Sequence, residues 1–158
     1  MLNKRNKIKY LAKGILGIEY FTNFKPEHIN GKVKFIQLNI NDEDYLIISK
    51  QNHSEILHKT LRGFGLAYST NEWVAPNGET IHIPNEKSTY YELIGAGRVA
   101  FVESSDKLNF YWRSSRYPKK LTNRKNLENI FKKENVLEFE SDNWPLFRIN
   151  YDFGADDE

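Results

Sequence analysis

The chain has 158 residues, enough for one domain with a real core, and its 39% hydrophobic and 14% aromatic content excludes a disordered polyelectrolyte. It contains no cysteine, which excludes structural disulfides, thiolate chemistry and Cys-ligated zinc and suits a reducing compartment. Net charge is only +2, yet "MLNKRNKIKYLAKG" and "RSSRYPKKLTNRK" carry bases and no acid, so an anionic partner near the second run is expected without any demand for bulk polyanion binding.

In chain order, Ile8, Leu11, Ile15 and Leu16 have roughly helical spacing and predict a short amphipathic helix within residues 1–18. Turn residues, among them Pro26 and Gly31, dominate from 19 to 31. "KVKFIQLNI" then alternates, with Val33, Phe35, Gln37 and Asn39 facing one way and Lys34, Ile36, Leu38 and Ile40 the other. That is a strand; "NDED" turns the chain, and "YLIISK" returns as a second strand. Asn52 followed by Glu55 reads as a loose capping box for a helix striped by Ile56, Leu57, Thr60, Leu61 and Phe64, ended by Gly63 or Gly65. Short strands are expected at "EWVA", "TIHI" and "TYYEL". "GAGRVAFVE", "SSDK" and "LNFYW" form a hairpin. Thr122 or Asn123 caps a second helix with Leu127, Ile130 and Phe131 inward, "VLEFES" is a further strand, and "LFRINY" another candidate. The expected class is α+β: a mixed, largely antiparallel sheet flanked by two α-helices in a single domain with an N-terminal extension.

No apolar run is long enough for a membrane span, and Lys13 and Glu19 interrupt any signal-peptide core, so a soluble, cytoplasmic protein without membrane contact is expected. His28, His53, His58 and His82 show no metal-ligand spacing, and no metal or cofactor is expected.

The chemistry concentrates at "QNHSEILHKTL". A helix N-terminus offers N–H groups and a partial positive charge to an oxyanion. An uncharged histidine in its first turn is suited to accept a proton, and this reading puts the His53 imidazole at the mouth of such a cradle. Lys34 would supply a point charge. In order, "VKFIQL", "HSEILHKTL", "GAGRVAF", "DKLNFYWRSSRYP" and "NRKNLENIFKKENVLEFESDN" resemble the small protein phosphohistidine phosphatases, the Janus/Ocnus family. The family has His-Ala-Asp or His-Ala-Glu where this chain has His53-Ser54-Glu55. The likeness covers about residues 32–143, with a gap.

What the resemblance implies is a metal-independent hydrolase of phosphohistidine or phospholysine on proteins, acting as a monomer on a phosphorylated protein or peptide. Its catalytic residues fall on His53, as general base or nucleophile, and Lys34. Its phosphate-binding positions fall on Ser54, Arg98, Ser114, Ser115 and Arg116, and its glycine-rich turn on "GAGRV". Residues 1–31 are then an N-terminal extension, 32–150 the phosphatase-like domain with an insertion at about 67–91, and 151–158 an acidic tail. Here Arg113 stands before Ser114 where the family keeps glycine, and Arg116 follows Ser115 where it keeps a small residue. Arg116 either clamps phosphate or fills the pocket.

Each residue also has an ordinary reading: His53 as a helix-start histidine bonded to backbone, Lys34 as a snorkelling edge lysine, Arg98 as a turn-shaping ion pair, and the basic run as a solvated face. Two rival functions follow. One is a non-catalytic phosphate- or phosphoprotein-binding module of the same fold. The other is a nucleic-acid binder through the basic run with Tyr111, Trp112 and Tyr117, for which near-zero net charge and the lack of a motif speak poorly; no nucleic-acid partner is expected.

Overall fold

The computed structural model describes residues 16–17, 33–131 and 137–139. The alternation read in the sequence organises it. Strand β2 (Val33–Ile40) pairs antiparallel with β3 (Glu43–Ser49), with Ile40 opposite Glu43. Two residues close this hairpin, Asn41 and Asp42, at φ 51° and 67°. That left-handed pair is what a tight hairpin requires and what Asn and Asp tolerate. The turn is thus shorter than the four residues "NDED".

Both faces of β2 are buried, and each belongs to a different core. Ile36, Leu38 and Ile40 join Tyr45 and Ile47 under helix α1 (His53–Gly63), which contributes Ile56, Leu57 and Leu61. Val33 and Phe35 join Leu46, Ile48, Val99, Leu108 and Phe110 on the opposite face, beneath helix α2 (Arg124–Phe131) with its buried Leu127. Ile130 and Phe131 pack at the margin of this second core. Covering a sheet on both sides forces both strand faces to be apolar, which explains why "FIQLNI" lacks a solvent face.

Among the described residues the sheet has six strands in the order β1 (Leu16–Gly17), β3, β2, β6 (Tyr91–Val102), β7 (Lys107–Tyr111), β8 (Leu137–Phe139). Strand β6 pairs antiparallel with β2 and with β7, while β8 runs parallel to β7 after the α2 crossover. A parallel return needs such a crossover, and it carries α2 onto the second face. The mixed, largely antiparallel sheet with a helix on each side is the expected α+β class.

Three expectations change. Leu16–Gly17 form strand β1 against Ile47 and Ile48 of β3, where the sequence pattern predicted helix. Pairing at an open sheet edge overrides a weak helical period there. The "GAGRV" glycines do not make a turn: "YELIGAGRVAFV" is one strand, with a register shift opposite Gln37 and Leu38. Gly95 and Gly97 instead admit neighbours, since a Cβ on Gly95 would lie 2.7 Å from the Leu121 carbonyl and one on Gly97 2.9 Å from the Tyr111 carbonyl. The third concerns the segment read as an insertion. It folds as a separate two-stranded sheet, β4 (Thr70–Val74) with β5 (Thr80–Pro84), turned by Gly78 at φ 90°. The remainder of the expected N-terminal helix, the "LFRINY" strand and the acidic tail lie outside the described residues. No helix among the described residues is long and apolar enough to cross a membrane.

Candidate functional site

Helix α1 starts where the sequence reading put it. The Asn52 side chain accepts from the Glu55 amide at 2.8 Å, which fixes the first turn and sets His53 and Ser54 at its opening. The Glu55 carboxylate lies 3.8 Å from Lys59 one turn on.

The His53 ring is wholly covered, at 0% exposure, and its Nε2 lies 2.7 Å from the Gly97 carbonyl oxygen. A carbonyl oxygen only accepts, so Nε2 carries the hydrogen, and a neutral ring holds its lone pair on Nδ1. The expectation of an imidazole standing at an open mouth is therefore corrected. Complete burial, together with the Gly97 bond, holds the ring inside. Gly97 was not a predicted site residue; its place in "GAGRV", beside Arg98, was the available signal.

Lys34, Arg98, Ser49 and Tyr111 form one cross-strand row, because Lys34 pairs with Ser49 of β3 and Arg98 of β6, and Arg98 with Tyr111 of β7. Side chains paired across a sheet share a face. Lys34 has the parity of Ile36 and Leu38, so the row lies on the α1 side, where His53 also sits. All four residues are buried, Lys34 to 8% and Arg98 to 4% exposure, so Lys34 is no snorkelling surface lysine.

The loop after β7 begins at Trp112, whose φ of 60° is unusual for a bulky side chain and swings the chain off the strand. Ser114 is fully buried, and its hydroxyl oxygen accepts from the amides of Arg116 and Tyr117, each at 3.1 Å. The amides of Arg116 and Tyr117 are thereby spent on shaping the loop. Tyr117 is buried and donates to the Pro84 carbonyl at 2.8 Å, and the Ala96 amide donates to the Lys120 carbonyl at 2.8 Å. The loop is pinned on both sides.

Arg116 reaches from this loop to α1. Its Nη1 donates to the Ser54 hydroxyl at 2.6 Å, and Ser54 in turn donates to the Asn52 side chain at 3.1 Å. The guanidinium also lies 4.9 Å from the centre of the Trp73 ring, while the Trp73 indole N–H donates to the Ser115 carbonyl at 3.3 Å. Arg116 Nε is buried without a hydrogen-bond acceptor. Of the predicted residues, then, Ser54 and Arg116 are in contact, Ser114 organises their loop, Ser115 is exposed at its rim, and His53, Lys34 and Arg98 share the sheet face beside them. Trp73 is the contact that sequence reasoning missed, because it arises between segments 42 residues apart.

The basic run is not one continuous positive face. Lys120 lies 3.9 Å from both Glu86 and Glu92, and Arg124 lies 3.2 Å from Glu128 while its guanidinium covers Phe139. Among the described residues, no three His, Asp or Glu side chains cluster as metal ligands. Comparisons of the chain with protein-family models, with curated proteins and with solved structures gave no match.

Proposed function

We propose that the chain is a phosphohydrolase acting on phosphohistidine or phospholysine of proteins, with a phosphoryl cradle at the start of α1. The observation that carries this reading is the hydrogen bond from His53 Nε2 to the Gly97 carbonyl, which fixes the orientation of the imidazole in the first turn of a helix. Lys34 and Arg98, side by side on the same sheet face, add two positive charges suited to a dianionic phosphoryl group. Arg116 adds a guanidinium whose Nε still seeks an acceptor.

In the reaction, Nδ1 takes a proton from water as the water oxygen bonds to phosphorus and the P–N bond breaks. The leaving nitrogen recovers a proton, and phosphate departs. Because the ring is fully covered, catalysis requires an opening over His53 when substrate enters. The direct role of His53 as nucleophile is the variant of this step in which Nδ1 itself bonds to phosphorus before water does.

A second reading has its own support. Complete burial of His53 and the Arg116–Ser54 bond describe a filled pocket, as in a binding module that recognises a phosphoryl group without turnover. Phosphate release from a phosphohistidine peptide, followed with and without a chelator, separates the two. The hydrolase gives chelator-insensitive release that falls at least about 100-fold in His53→Ala, the lower end of general-base contributions. Phosphopeptide binding with no release by the wild type leaves the module and removes the enzyme.

A further inference from the structure

We infer that Trp73, on the β4–β5 hairpin, is the positioning residue that sets the Arg116 guanidinium for an anionic phosphoryl group, so that the hairpin is part of the recognition site. This rests on the phosphoryl-cradle reading above and adds an element to it that the sequence resemblance does not contain.

Two contacts from one indole fix the loop. The ring face lies against the guanidinium at 4.9 Å, and the ring N–H takes the Ser115 carbonyl at 3.3 Å. Arg116 is otherwise held by one bond, Nη1 to Ser54, and no carboxylate neutralises it among the described residues. A guanidinium on a loop has many rotamers, and a flat aromatic face removes most of them without satisfying its donors. Trp73 thus orders the cation without giving the buried Nε an acceptor, whereas an acidic partner would have quenched it. The ligand class that fits is an oxyanion with geometry for a guanidinium edge, as in a phosphoryl group.

The hairpin itself is anchored for this purpose. Ile81 and Trp73 face each other across β4 and β5 and pack on the α1 core, Ile83 is buried in it, and Tyr117 ties the same loop to Pro84. Loop and hairpin are therefore tied to each other at two points, Trp73 to Ser115 and Tyr117 to Pro84.

The test is calorimetric titration of the full chain with inorganic phosphate. Trp73→Phe keeps a ring face, and Trp73→Leu fills the space without one; each is also made in an Arg116→Ala background. Phosphate binding about threefold to tenfold weaker in Trp73→Leu, largely retained in Trp73→Phe, and no effect of Trp73→Leu once Arg116 is absent are the expected results. Equal affinity in Trp73→Leu and wild type overturns the inference, as does a loss that persists undiminished in the Arg116→Ala background. Tighter binding in Trp73→Leu also overturns it, since the indole would then be a latch holding the guanidinium out of the anion's way. Phosphate binding that depends on Arg116 and ignores Trp73 sinks this inference alone; a wild type that does not bind phosphate sinks the cradle with it.

Discussion

Gly97 carries two duties that no other residue type can combine. Its carbonyl takes the His53 ring, and its missing side chain lets the Tyr111 and Trp112 carbonyls and the Phe35 ring approach to 2.9–3.1 Å of where a Cβ would stand. Two of those three neighbours are backbone, so they yield little. Gly97→Ala is therefore expected to cost about 1–3 kcal/mol, the range for overpacking a close contact. It should also displace the carbonyl that fixes the His53 tautomer. Urea unfolding measures the first effect, and the ring nitrogen shifts of His53 by NMR measure the second. An alanine variant with wild-type stability and unchanged shifts would mean that β6 relaxes away freely and that the ring is held by something else.

Among the elements, α1 was the most legible in the sequence, and the reason is local. An apolar stripe, a polar cap three residues ahead of Glu55 and glycines at the far end are all read within one short window, and Gly65 does adopt φ 72° after the helix. Asn52→Ala is expected to lower stability by about 1 kcal/mol, seen as a lower urea midpoint with an unchanged slope, while Asn52→Ser keeps most of it. The β2 alternation was legible for the same reason, and its parity correctly grouped Lys34 with Ile36 and Leu38. What was not legible is contact between distant segments. The family resemblance put a glycine-rich turn at "GAGRV", whereas here Gly95 makes room for Gln37, which bonds Asn123 and Asn126 at the start of α2. Ser114 suited a phosphate loop by position, yet its hydroxyl oxygen is taken by the amides of Arg116 and Tyr117. No periodicity reveals an indole laid on a guanidinium from another loop. The covering of His53 was equally hidden, since burial depends on what every other element does.

For the whole molecule, one sheet separates two cores, and the protonation of two groups packed on the α1 side links its stability to pH. Burial, and then the nearby Arg62 cation, lower the His58 pKa from its ordinary value, with Glu55 acting weakly in the opposite sense. The geometry agrees: Arg62 donates to His58 Nε2 at 3.1 Å and the Tyr68 hydroxyl meets Nδ1, an arrangement for a neutral ring. Below about pH 6.5 the unfolded chain takes up a proton that the folded ring resists, so stability falls as pH drops through that point. Tyr91 acts at the other end. Burial first, and Tyr68 second, push its pKa up to about 12, and its hydroxyl donates to the Asn85 carbonyl at 2.8 Å. Its folded pKa exceeds the unfolded value near 10, so its contribution is complete below pH 10 and is lost as pH rises toward 12. At roughly 1.4 kcal/mol per pKa unit, that loss approaches about 3 kcal/mol. Free energies of unfolding in urea, taken from pH 5 to 11.5, should therefore plateau between about 6.5 and 10. His58→Gln should flatten the acid limb. Tyr91→Phe should lower the plateau by about 1 kcal/mol, for the lost hydrogen bond, and flatten the alkaline limb. An alkaline slope identical in Tyr91→Phe and wild type would assign that limb to the lysines and the other tyrosines, and the buried hydroxyl would have no part in it.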